Sequence, residues 1–127
     1  MFGAFSIYHI NKGHWMWKTL LFTWFLVIVG LSFYPFQNLE ERPSLIQIDK
    51  IAHFFLYFVL SVLLIKSDYL SDRYSVSYSV LLIVFFLGGI IEILQGAITV
   101  ERHASFLDIG ANMLGALSAI GIYRTLK

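Results

Sequence analysis

The chain contains no cysteine. Disulfides, thiolate nucleophiles and Cys-ligated zinc or iron–sulfur centres are therefore excluded. Charge is scarce as well: of 127 residues, nine are Lys or Arg and eight are Asp or Glu, leaving a formal net charge of +1. With no basic run, that balance provides no footprint for nucleic acid. A glycine-rich phosphate loop is also lacking, so a reaction needing chemical energy would draw it from an activated lipid rather than from a bound nucleotide. Proline occurs only twice, at Pro35, which ends the first long apolar run, and at Pro43 in the loop after it.

What fills the chain instead is apolar: 58% of residues are hydrophobic and 17% aromatic. That is more than the polar surface of a water-soluble globule this small can cover, so the chain reads as an integral membrane protein. Its length allows one domain. The expected architecture is all-α, a polytopic bundle of four transmembrane helices at about 19–36, 46–66, 78–100 and 105–123, together making a domain over 19–127. Thr19–Phe36 carries no charge and rises about 27 Å at 1.5 Å per residue, close to the hydrocarbon thickness of about 30 Å. Residues 1–18 read as an interfacial segment, because Trp15 and Trp17 flank the run beside Lys18, and amphipathic rings favour the headgroup level. The first run is longer than a signal-peptide core and no small-residue cleavage site follows it, so it is expected to stay as a helix.

Polar residues within these runs are the informative ones. An ionisable group at membrane depth costs several kcal/mol unless it is paired or faces water, yet Asp49, His53, Glu92, Gln95, Asp108 and Asn112 all sit in or at the ends of apolar segments. Asp49 and His53 are one helical turn apart, as are Asp108 and Asn112, and Glu92 and Gln95 nearly so; each pair shares a helix face. With four spans, Lys12, Lys18, Lys66, Arg73, Arg124 and Lys127 lie on one side and Arg42, Lys50 and Arg102 on the other. Six against three places both termini in the cytoplasm. All the polar positions then fall near the outer leaflet, and their faces are expected to meet in one pocket opening outward.

The roles read from residue type are these. Asp49 and His53 suit an acid-oriented general base and Glu92 an orienting or polarising group, which makes the three the catalytic candidates. Lys50, Tyr57, Gln95, Arg102, Asp108 and Asn112 are the substrate-binding candidates, Arg102 because its rigid fork of donors suits a carboxylate or phosphate. Asp49 and His53 equally suit two metal ligands, with Glu92 or Asp108 completing the sphere, but one i, i+4 pair is a weak signal. No metal or other cofactor is assigned from sequence. Ser105 and Asp108 also fit a capping box opening the fourth helix. His103 and Ser105 lack the glycine elbow of a serine hydrolase. Phe54, Phe55, Phe58, Phe85 and Phe86 read as lipid-facing or packing residues with no chemistry.

The order Asp49-Lys50-x-x-His53-x-x-x-Tyr57, Glu92-x-x-Gln95, then Arg102-x-x-Ser105-x-x-Asp108-x-x-x-Asn112-x-x-Gly115 resembles the VanZ-like family of small bacterial membrane proteins. Ser32-x-x-Pro35 at the end of the first run is similar to that family too. The resemblance covers roughly Leu31 to Gly121 and leaves out the first 18 residues. It implies a multi-pass protein of the bacterial cytoplasmic membrane, in a family that includes an accessory protein of glycopeptide-resistance clusters lowering susceptibility to teicoplanin, a lipid-tailed glycopeptide. It fixes no reaction. The partner expected on this reading is a membrane lipid or lipid-linked envelope molecule, either processed or sequestered. In a different class stands a non-catalytic helix-docking role in assembly with another membrane protein.

Overall fold

The computed structural model describes residues 2–34, 43–67, 73–98 and 104–126, with side chains over 15–34, 47–67, 76–98 and 104–126. Among them there are four α-helices: α1 (Phe2–Phe33), α2 (Pro43–Lys66), α3 (Arg73–Ile98) and α4 (Phe106–Thr125). Each contains a stretch long and apolar enough to cross a membrane, at Trp15–Phe33, Gln47–Lys66, Val76–Ile98 and Phe106–Thr125. This is a multi-pass membrane protein.

Helix boundaries differ from the sequence expectation in three places. The first helix begins at Phe2 rather than near residue 19, so its 32 residues extend about 48 Å, well beyond one hydrocarbon layer. Helical backbone needs no apolar side chains, and the polar residues of the lead-in do not interrupt it. The second helix begins at Pro43, not Ile46; proline's fixed φ and missing N–H suit the first helical position. The third begins at Arg73 instead of Tyr78, because Val76 and Ser77 are already buried against the bundle. Arg124 of α4 donates to the Ser77 hydroxyl at 3.1 Å, tying the end of one helix to the start of the other.

Each of α2, α3 and α4 turns one stripe of i, i+3 or i, i+4 spacing inward. On α3 the stripe is Val76, Val80, Val84, Gly88 and Glu92; on α2 it runs His53, Tyr57, Leu60 and Leu64; on α4, Asp108, Asn112, Ala116 and Ile120. The core is built from the apolar parts of these stripes together with Ile28 of α1. Large apolar side chains such as Phe22, Leu26, Phe55, Phe86, Ile93 and Leu117 stay exposed, as expected where the surrounding solvent is lipid. The most extensive interface joins α2 and α4, and Gly115 makes it possible. A Cβ there would collide with the Phe54 carbonyl oxygen and sit 2.9 Å from the Phe58 nitrogen. Small-residue spacing of this kind lets helix backbones touch. The first helix packs more loosely, anchored by the Trp24 indole N–H, which donates to the Leu56 carbonyl at 2.9 Å.

Candidate functional site

The inward stripes are apolar at one end of the bundle and polar at the other. Asp49, Lys50 and His53 lie near the start of α2, Glu92 and Gln95 near the end of α3, and Asp108 and Asn112 at the start of α4. Because α3 runs opposite to its neighbours, these positions come to one level. There, His53 is the hub. Its Nδ1 lies 3.0 Å from the Asn112 side-chain oxygen, a buried contact; that oxygen only accepts, so Nδ1 carries the hydrogen. Nε2 consequently faces three carboxylates: Asp49 Oδ1 at 3.9 Å, Glu92 Oε1 at 4.0 Å and Asp108 Oδ2 at 4.0 Å.

Glu92 is only 2% exposed. Its Oε2 accepts the Ser105 backbone N–H at 3.0 Å, while Oε1 has no hydrogen-bond partner among the described residues. The first of these contacts corrects the capping-box expectation. Ser105 does stand at the N-cap of α4, but its side chain makes no cap hydrogen bond. The carboxylate that accepts its N–H comes from α3, and Asp108 is thereby free to turn inward, where Lys50 Nζ approaches its Oδ1 at 3.5 Å. A tertiary partner has displaced the local one. Asp49 and Asp108 bring carboxylate oxygens within 4.8 Å of one another, where two charged carboxylates repel by roughly 3–4 kcal/mol for an effective dielectric of about 20, before solvent screening. Against them Lys50 supplies one compensating charge.

The remaining candidates fall into place around the hub. Tyr57 is buried one turn below His53, with the rings nearly parallel at 6.5 Å, and it belongs to the core beneath the cluster. Gln95 is buried, and its amide donates to the Ser32 carbonyl of α1 at 2.6 Å, linking α3 to α1. Arg102 and His103 lie outside the described residues.

Two features add to the residue roles read from the sequence. Gly88 makes room for Asn112: a Cβ at Gly88 would lie 2.6 Å from Asn112 Nδ2. Its signal in the sequence is the one-turn spacing of Gly88, Glu92 and Gly96, whose glycines let helix backbones approach closely. The second is an apolar groove of about 360 Å³ between α3 and the start of α4, walled by Phe85, Phe86, Ile90, Ile93, Phe106 and Ile109, with Glu92 and Ser105 also in its lining. That volume lies within the roughly 300–1,000 Å³ typical of small-molecule sites. Residue type alone gives Phe85 and Phe86 no such place.

The match to known families is as broad as the chain. A family model described as VanZ/LLP1 matches residues 2–127. The chain belongs to the VanZ/LLP1 family. The match takes in the first 18 residues, which the motif resemblance does not reach. No curated protein and no solved structure matches this VanZ/LLP1 chain.

Proposed function

We propose that this VanZ/LLP1-family protein binds or processes a lipid-linked or cell-envelope molecule, with the polar end of the ligand at the His53 cluster and its tail in the α3–α4 groove. The observation that carries this reading is the position of Glu92, which belongs both to the carboxylate cluster and to the lining of an apolar groove. An amphiphile is the ligand class that fits one wall of each kind. The Lys and Arg count of the sequence favours both termini in the cytoplasm, and Trp15 and Trp17 favour residues 1–18 at the interface, so on this reading the cluster lies at the outer leaflet of the bacterial cytoplasmic membrane. In the catalytic form of this reading, Asp49 and His53 exchange a proton with the ligand and Glu92 orients it. Lys50, Arg102, Asp108, Asn112, Gln95 and Tyr57 then hold or shape its polar end. In the sequestering form the same contacts retain the ligand without turnover. Either form would lower sensitivity to a lipid-tailed glycopeptide such as teicoplanin, through altered or occupied envelope lipid.

Lipids extracted from the purified protein and identified by mass spectrometry test the proposal. Gly89 lines the groove, and a Cβ added to it would have nothing within 4 Å, so Gly89→Trp fills the groove without a backbone clash. Wild type is expected to retain a discrete lipid-linked molecule that Gly89→Trp loses at equal membrane level; identical lipid complements refute the reading. Where turnover is found, His53→Ala lowers it by orders of magnitude, whereas sequestration weakens a few-fold. The cysteine-free chain also makes orientation simple to read. Single cysteines placed between positions 36 and 48 should react with impermeant reagent from outside, and labelling from the cytoplasmic side alone reverses the orientation.

A further inference from the structure

We propose that Asp49, His53 and Asp108, with Glu92 beside them, form a binding site for a divalent transition-metal ion of the Zn²⁺ or Mn²⁺ class. One ligand atom each from Asp49, His53 and Asp108 lies within 4.8 Å of the others. Two separate observations point to a cation. The first is Glu92, 2% exposed, whose Oε1 lacks a hydrogen-bond partner among the described residues and is aimed at His53 Nε2 from a third helix. The second is the histidine itself. Asn112 accepts the hydrogen on Nδ1 at 3.0 Å, which turns Nε2 toward the carboxylates, where an ion can take the place of a proton, the arrangement usual for a metal-bound imidazole held from its far side.

The distances suit an ion better than direct contact. At 3.9 to 4.0 Å the Nε2–carboxylate separations are too long for hydrogen bonds, whose donor–acceptor distances end near about 3.2 Å. Around a four-coordinate ion with bonds of about 2.0–2.2 Å, ligand atoms stand about 3.4 Å apart. Small rotations of the carboxylates supply the difference. Imidazole nitrogen selects for transition metals and carboxylate oxygen for harder ions, so one nitrogen with three oxygens favours Zn²⁺ or Mn²⁺ over Cu⁺ or Ca²⁺. The ion site goes beyond the lipid reading and stands without it, since its donors all come from the chain.

The test uses whole protein in detergent, purified through a tag free of histidine, stripped with a chelator, then loaded separately with Zn²⁺, Mn²⁺ and Co²⁺. Metal retained after desalting is measured by mass spectrometry, and the visible spectrum of the Co²⁺ form is recorded. Wild type is expected to hold about one ion per chain and to show d–d bands of a nitrogen–oxygen site, with affinity falling about 10- to 100-fold in Asn112→Ala and further in His53→Ala or Asp108→Asn. Stripped wild type that takes up none of the three ions overturns the site without reference to any variant's folding. Uptake that is equal in wild type, His53→Ala and Asp108→Asn also overturns it, by placing the metal elsewhere. No lipid enters this measurement, so the ion site and the lipid reading can fail independently.

Discussion

Two adjacent glycines on α3 make opposite predictions from the same substitution. At Gly88, a Cβ would stand 2.6 Å from Asn112 Nδ2, about 0.8 Å short of ordinary contact at 3.4 Å, with Tyr57 Cε1 a further 3.7 Å neighbour. Asn112 is buried, and its side-chain oxygen is held by His53 at 3.0 Å. Relief comes either by parting α3 from α4 or by swinging the amide away from His53. Overpacking of the first kind costs about 1–3 kcal/mol, and losing a hydrogen bond about 1 kcal/mol net. Alanine's better helix propensity returns up to about 1 kcal/mol. Gly88→Ala should therefore destabilise the fold by about 1 kcal/mol. At Gly89 nothing lies within 4 Å of the same Cβ, and only the propensity term operates. The expected gap between the two variants, about 2 kcal/mol, is a factor of about 30 in the folding constant. Reversible unfolding in mixed detergent micelles, followed by far-UV circular dichroism, resolves it. In an Asn112→Ala background the penalty at Gly88 should vanish, since the atom it strikes is gone. If Gly88→Ala and Gly89→Ala unfold alike in both backgrounds, the packing of Asn112 against α3 is wrong.

The same assay checks two further contacts. Gly115→Ala drives a Cβ into the Phe54 and Phe58 backbone, which has no side-chain torsion to relieve it, so the loss should reach or exceed about 3 kcal/mol, the upper end for overpacking; wild-type stability in this variant would contradict the α2–α4 contact. Trp24→Phe removes the N–H that meets the Leu56 carbonyl and should cost about 1 kcal/mol, typical of an intramembrane hydrogen bond. Trp15→Phe, at a largely exposed ring, should leave stability unchanged, and equal effects at the two sites would refute the anchoring role of Trp24.

The four spans are legible because runs of apolar residues long enough to cross a bilayer have few other uses. Their ends are less so. Phe2–Lys18 carries polar residues that break the hydrophobic pattern but not the helix, and Pro43 looks like loop although it serves as the first helical residue. The meeting of Asp49, His53, Glu92, Asp108 and Asn112 follows from one-turn spacings and from counting depth along antiparallel spans. Local rules fail where a distant partner wins: Ser105 gives its N–H to Glu92 rather than to Asp108, and Gln95 reaches the α1 backbone. The groove cannot be read from the chain, because an aromatic residue lining a cleft and one facing lipid have the same periodicity.

Gly115 has a consequence for how the protein tolerates its host membrane. Bilayers of different thickness are accommodated by helix tilt, and helices separated by long side chains can tilt independently. With no side chain between them at this point, α2 and α4 must lean together as one lever. The distances among Asp49, His53, Asp108 and Asn112, all borne on that pair, are thereby insulated from changes in lipid composition that would shear a looser bundle.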